Sequence, residues 1–221
     1  MSSNDVWETI FRNRASWGLY PPEELIRFVA AHYYGAARRD AVSFLEIGCG
    51  PGAGPSWYLA REGFRYTGID GSPTAVRRAQ DRFAREGLAG DFVVGELEIL
   101  PWEDGCFDCV VDIAALQHND EHAAAAIVTE VHRVLKPGGR HFSLTASDRS
   151  WGVGTGERMD ETTGRNVTEG PYANMGPTRF ATRESMSALY ASFREVEINY
   201  SIRSVAHGTR DIANWIATCV R

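Results

Sequence analysis

Residues 44–54 read Phe-Leu-Glu-Ile-Gly-Cys-Gly-Pro-Gly-Ala-Gly, an apolar run that breaks into glycines, and Asp70 closes a second apolar run further on. Glycines here let a strand turn sharply into a helix and leave backbone close enough to touch a ligand, where a Cβ would obstruct both. An acid at the end of the next strand is placed to accept hydrogen bonds from a ribose diol. The chemistry expected is the binding of a nucleoside cofactor. His118, in Leu116-Gln117-His118-Asn119-Asp120 just past a later apolar run, is the best-placed candidate base. Sites in such sheets lie beyond the carboxyl ends of the strands. The alternative for this histidine is a loop residue that caps a helix or lines the pocket. His122 reads as a surface residue and His141 as a structural one.

The elements that must position these residues follow from periodicity. A helix is expected over 23–34, with Leu25, Ile26, Val29 and Ala30 at helical spacing behind Pro21-Pro22. Strands are expected over 42–47, 66–69, 92–94, 107–113 and 141–146. Between them lie helices over 54–61, over 73–86 with Ser72 as cap and Gly87 as stop, and from Asn119 or Asp120 to Leu135. Lys136-Pro137-Gly138-Gly139 ends the last of these. Such alternation means a parallel sheet with right-handed crossovers. Residues 147–180 show no clear period, and a stretch of that length reads as an active-site cover or a disordered segment. A helix over 182–192 and strands over 195–200 and 212–220 complete the chain.

Composition narrows the partners. At 221 residues with 43% hydrophobic content, one α/β domain with a sizeable core is the default. It divides into an N-terminal helical segment 1–40, a cofactor core 41–146, a cover 147–181 and a C-terminal helix and strands 182–221. The formal charge of -6 argues against a nucleic-acid surface, which needs clustered Lys and Arg. No apolar run is long enough to span a bilayer and residues 1–5 lack a basic region followed by an apolar one, so a soluble cytoplasmic protein is expected. Cys106 and Cys109 form a lone Cys-x-x-Cys without the second ligand pair of a zinc site, and Cys109 reads as a core residue.

The turn alone fits two patterns. Gly48-x-Gly50-x-x-Ala53 satisfies that of dinucleotide enzymes, and Glu46-x-Gly48-x-Gly50-x-Gly52 that of S-adenosylmethionine enzymes. Further motifs in register separate them: Gly68-Ile69-Asp70-Gly71-Ser72, then Gly95-Glu96-Leu97-Glu98 with Leu100-Pro101-Trp102 and Asp104-Gly105-Cys106-Phe107-Asp108, then Arg133-Val134-Leu135-Lys136-Pro137-Gly138-Gly139. With these, residues 44–145 resemble the class I S-adenosylmethionine-dependent methyltransferases. The resemblance implies a Rossmann-like α/β fold. Its seven-stranded, mostly parallel sheet has an antiparallel last strand and helices on both faces, with an N-terminal helix and the insert after strand five as cover.

The resemblance also assigns the cofactor contacts. Gly48, Gly50 and Gly52 would let backbone pass the methionyl part and Asp70 would hold the ribose hydroxyls, with Glu46, Cys49, Gly71 and Ser72 as further cofactor-binding residues. Glu96, where the family usually has aspartate, and the Leu97 amide would read the adenine edge. Asp112, Ile113 and Ala114 would lie beside the sulfonium and amino end. No metal is expected: Asp112 and Asp148 could supply two oxygen ligands, but Arg149 stands where a third would help. Trp7, Phe11, Trp17 and Tyr20 near the start, and Trp151, Tyr172, Met175 and Phe180 in the insert, make an aromatic-rich cover. Trp17, Tyr20, His118, Trp151 and Tyr172 are the expected acceptor contacts, and Arg14, Arg158, Arg165 and Arg179 could pair with an acidic group.

The function expected is methyl transfer by in-line displacement to an oxygen, nitrogen or carbon of a small molecule, in specialised metabolism. Asp112-Ile113-Ala114-Ala115, in place of the Pro-Pro-aromatic signature that marks methylation of amide or base nitrogen, speaks against those acceptors. The alternatives are a protein or RNA acceptor, a non-catalytic cofactor-binding partner subunit, and a nicotinamide oxidoreductase. Oligomeric state is not expressed in the sequence.

Overall fold

A computed structural model describes residues 3–14 and 18–221. The parallel core runs β1 (Ser43–Ile47), α3 (Pro55–Arg61), β2 (Arg65–Asp70), α4 (Pro73–Glu86), β3 (Asp91–Val94), β4 (Phe107–Ile113), α5 (Glu121–Val134) and β5 (Leu135–Ala146). Before it come α1 (Ser3–Asn13) and α2 (Glu23–His32). After it come β6 (Glu157–Arg158), β7 (Thr163–Arg165), β8 (Thr178–Arg179), α6 (Arg183–Leu189), β9 (Arg194–Val205) and β10 (Arg210–Val220).

The main sheet has seven strands in the order β3-β2-β1-β4-β5-β10-β9. β1 to β5 pair in parallel, and β10 is antiparallel to both its neighbours, β5 and β9. The expected Rossmann-like sheet with an antiparallel last strand is therefore present. Alternation along the strands separates two cores. Leu45, Ile47 and Val110 face α5 and α6 with Ile127, Val131, Met186 and Trp215. Phe44, Cys109, Val111 and Phe142 face α2, α3 and α4 with Leu25, Val29, Leu59 and Phe83. Each fully buried Leu or Ile stabilises the fold by about 1.5–3 kcal/mol.

Local chemistry sets the boundaries. The Ser72 hydroxyl accepts from the Ala75 amide at the start of α4, and Gly87, left-handed at φ 66°, stops it. Asp120 rather than Asn119 caps α5, accepting from the Ala123 amide. Thr182 and Ser185 form a reciprocal capping box at α6.

Three expectations change. β5 begins at Leu135, which pairs with Phe107 while Arg140 pairs with Cys109, so residues 136–139 loop out inside the strand instead of preceding it. The insert carries its own three-stranded sheet, β6-β7-β8, of strands two or three residues long, too short to show a period. Helix α1 lies within the expected N-terminal helical segment 1–40 but is a second helix there, ahead of the one expected over 23–34. Among the described residues no helix is long and apolar enough to cross a membrane.

Candidate active site

A cavity of about 600 Å³ opens at the carboxyl ends of β1 to β4, within the size range of small-molecule sites. Its first half is the glycine turn. Gly48 and Gly50 hold φ of 66° and 54°, a region glycine enters without penalty. A side chain at Gly48 would drive into the Ala115 methyl, so the turn lies directly against the loop after β4. The Gly50 amide donates to Asp70 Oδ2 at 2.9 Å and the Ser72 amide to Oδ1 at 2.8 Å. Burial raises the Asp70 carboxyl above its ordinary range, and those two amides oppose the shift. Each oxygen keeps a second lone pair for a hydroxyl.

Glu46 lies beneath the turn, almost wholly buried, and accepts from Ser56 Oγ at 2.6 Å and Tyr66 OH at 2.7 Å. Burial pushes its carboxyl up to about 8, the two hydroxyl donors offsetting only part of the cost. It is therefore largely protonated at neutral pH. Glu96, Leu97 and Glu98, on the loop after β3, complete this end of the wall.

The loop after β4 forms the middle. Ala114, a non-glycine at φ 66°, lines the cavity in a conformation that costs on the order of 1–3 kcal/mol. Asp112 holds it there: its Oδ1 accepts the Ala115 and Leu116 amides at 2.8 and 3.1 Å, and Oδ2 accepts Ser143 Oγ at 2.6 Å. Burial lifts Asp112 to about 6. On the same loop His118 is buried and depressed to about 4 by desolvation, hence neutral. Its Nδ1 lies 3.0 Å from the Pro177 carbonyl, which can only accept, so Nδ1 carries the proton. Nε2 then accepts from Gln117 Nε2 at 3.2 Å, while Gln117 Oε1 accepts the Ala146 amide at 2.9 Å. The ring's one lone pair is engaged and its basicity is low. This arrangement suits a wall residue that braces the insert better than a general base.

Helix α1 closes the cavity from outside. Trp7 packs edge-on to His118 with centroids 4.7 Å apart, and the Phe11 ring lies over Gly50. Asn4 Nδ2 donates to Glu96 Oε2 at 2.6 Å and packs on Gly71, where a side chain would collide with it. Glu8 accepts from Ser72 Oγ, from Thr74 Oγ1 at 2.7 Å and from the Thr74 amide at 3.1 Å, at the N-terminus of α4. Burial raises its pKa, but the donors from Ser72, Thr74 and Arg12 outweigh that and hold it at about 2. An anion at a helix N-terminus is favourable in any case.

Of the expected site residues, Glu46, Gly48, Cys49, Gly50, Asp70, Gly71, Glu96, Leu97, Ile113, His118, Tyr20 and Tyr172 share this cavity. Gly52, Ser72, Asp112 and Trp151 are not on its wall. Gly52 packs on Ala79 of α4, where a Cβ would come within 2.8 Å of the helix backbone. Ser72 is the cap of α4, and Asp112 is the buttress beneath Ala114. Trp151 turns away, donating to Glu169 Oε2 at 2.9 Å with Arg210 over its ring. Trp17 lies outside the described residues. Tyr20 stands exposed at the mouth beside Trp57. Sequence reasoning missed Asn4, Gln117, Arg203, Ile212 and Asn214, all on the wall. The helical spacing of Asn4, Trp7 and Phe11 was a readable signal for α1; Arg203, Ile212 and Asn214 needed the β9–β10 register, and Gln117 the path of the loop after β4.

Comparison with known proteins agrees with this fold. Residues 44–139 match the methyltransferase domain family. The chain is 27% identical over 172 residues to the chloroplastic tocopherol O-methyltransferase of Arabidopsis thaliana, covering 69% of this chain and 49% of that protein. It is 35% identical over 133 residues to the fatty-acid O-methyltransferase of Mycolicibacterium smegmatis, covering 58% of this chain and 46% of that one. The chain thus spans about half the length of these curated relatives. A solved structure described for conversion of a disulfide bond into a thioacetal group during echinomycin biosynthesis aligns over 100% of this chain and 92% of its own. Its TM-score is 0.75 and its identity 21%, a likeness of fold. Family match, motif order and strand order converge: residues 44–139 are similar to the methyltransferase domain family, within a sheet of the expected strand order.

Proposed function

We propose that the protein transfers a methyl group from S-adenosylmethionine to a small molecule. The observation that carries this reading is a single cavity with two unlike ends: a glycine turn with Asp70 and Glu96 on one side, and aromatic and amide side chains on the other. The cofactor supplies an activated methyl on a sulfonium. Glu46 and the turn would hold its methionyl part, Asp70 its ribose hydroxyls, and Glu96 with the Leu97 amide its adenine edge.

The chain's own contribution is alignment and exclusion of water. Trp7, Phe11, Tyr172 and Met175 close over the cavity from α1 and the insert, and Ala114 with Ala115 shapes the wall between its ends. His118, neutral and hydrogen-bonded at both nitrogens, fixes Pro177 and Gln117 relative to each other. The activities for which the relatives are named, on tocopherol and a fatty acid, support a small-molecule acceptor. The acidic balance of the chain supports it too. A place in specialised metabolism and in the cytoplasm belongs to the same reading.

Calorimetric titration with S-adenosylmethionine and S-adenosylhomocysteine, with NADH as control, tests the first half. Saturable binding of the first two alone is expected, and a subsequent acceptor screen should show products heavier by one methyl group. Binding of NADH in their place would refute the assignment.

A further inference from the structure

The charges that the strands and their loops bring to the cavity wall are segregated by strand order, the other wall cation, Arg14, following α1. The wall's acidic side chains, Glu46, Asp70, Glu96 and Glu98, all hang from β1, β2 and β3 or the loops that follow them. From the end of β4 onward, the wall residues are Ile113, Ala114, Ala115, Gln117, His118, Asn119, Pro171, Tyr172, Met175, Arg203, Ile212 and Asn214, with no acid among them. Arg203 is the cation of that half. It sits opposite Ile212 in the antiparallel ladder, and Asn214 follows two residues along β10, so all three side chains share one face. Asp211, between them in sequence terms, points to the other face. Arg203 makes no ion pair among the described residues, whereas the nearby Arg210 faces Glu169 at 3.8 Å. Asn214 Oδ1 faces Tyr172 OH at 3.5 Å, which leaves its amide hydrogens as further donors.

We propose that the acceptor is an elongated organic acid whose carboxylate is anchored by Arg203. This rests on the methyl-transfer reading above. β9 stands three strand spacings from β4, roughly 14 Å across the sheet, so the acid is held at one end and the methylated atom lies at the other. A guanidinium matches a carboxylate with two parallel hydrogen bonds. One arginine balances one negative charge, which favours a carboxylate over a phosphate dianion. The intervening wall of Trp7, Pro171, Tyr172, Met175 and Ile212 suits an apolar or flat body. Arg203 is thus a specificity-determining residue, remote from the bond that changes.

The test is binding, with the protein saturated by S-adenosylhomocysteine. Decanoate is titrated against decanamide and cinnamate against cinnamamide, pairs that differ in charge and little else. At least one acid should bind about tenfold or more tighter than its amide, the discrimination expected of a charge-assisted pair. The preference should shrink to about twofold in Arg203→Met and be partly kept in Arg203→Lys, with the affinity for S-adenosylhomocysteine unchanged. Equal affinity for acid and amide, no acid binding at all, or an undiminished preference in Arg203→Met would overturn the proposal. Failure to bind S-adenosylhomocysteine would instead refute the cofactor reading, which the first titration reveals separately.

Discussion

Replacing Glu46 by Gln should remove most of the alkaline instability of the protein. In the fold the carboxyl titrates near 8 against an ordinary value of 4.5, because it is buried and only Ser56 and Tyr66 donate to it. A carboxyl raised in this way favours the folded state fully below pH 4.5, and that contribution is lost as pH climbs through about 8. Integrating between those limits gives roughly 5 kcal/mol in total, of which roughly 2.5 kcal/mol falls between pH 6 and 9. For a domain of this size that is a fall in Tm of roughly 5–10 °C. Gln keeps the shape and both hydroxyl partners but cannot ionise. Thermal unfolding of the two proteins across this range should therefore give curves that diverge as pH rises, the variant remaining the flatter. Asp112, raised to about 6, titrates in both proteins, and its charge and that of Asp70 are among the causes that raise Glu46. Parallel curves would show that Glu46 is ionised in the fold and that the burial argument fails.

The same carboxyl should make binding of a cationic cofactor release a proton near pH 7. Calorimetry in buffers of different ionisation enthalpy reads this directly, and no buffer dependence would contradict it. Asp70→Ala should weaken S-adenosylhomocysteine binding by one to two orders of magnitude, about 1.5–3 kcal/mol, and unchanged affinity would refute the ribose role. Glu8→Ala frees α1 from the N-terminus of α4 and should speed release of S-adenosylhomocysteine in stopped-flow displacement, with the sheet's secondary structure unaltered by circular dichroism. An unchanged release rate would mean that α1 does not restrain the cofactor. His118→Gln should leave the pH dependence of turnover intact and alter its magnitude less than tenfold, in keeping with a wall residue. Loss of a titration step would restore the base.

Most of the fold was legible because its signals are local. The 107–113 strand, the 73–86 helix with its Ser72 cap and Gly87 stop, and the glycine turn each declare themselves within a dozen residues. The glycine-turn end of the cavity was legible for the same reason, since the residues expected there sit at strand ends in fixed order. The opposite end of the cavity was not, because Arg203, Ile212 and Asn214 come together only through a cross-strand register. Asp112 and Trp151 show the converse. A strand-end acid and an exposed-looking aromatic read as site residues until backbone amides and Glu169 are seen to claim them.

The place of β10 between β5 and β9 has a consequence for how the molecule is assembled. β9 reaches the sheet only through β10, although it precedes it in the chain. The two can form their hairpin early, at the small entropic cost of a short loop, but that hairpin must then dock as a unit onto an already formed β5. Ile212 and Asn214 reach the cavity in that step, Arg203 with them. The half of the cavity they line is therefore complete only when the β9–β10 hairpin has joined β5.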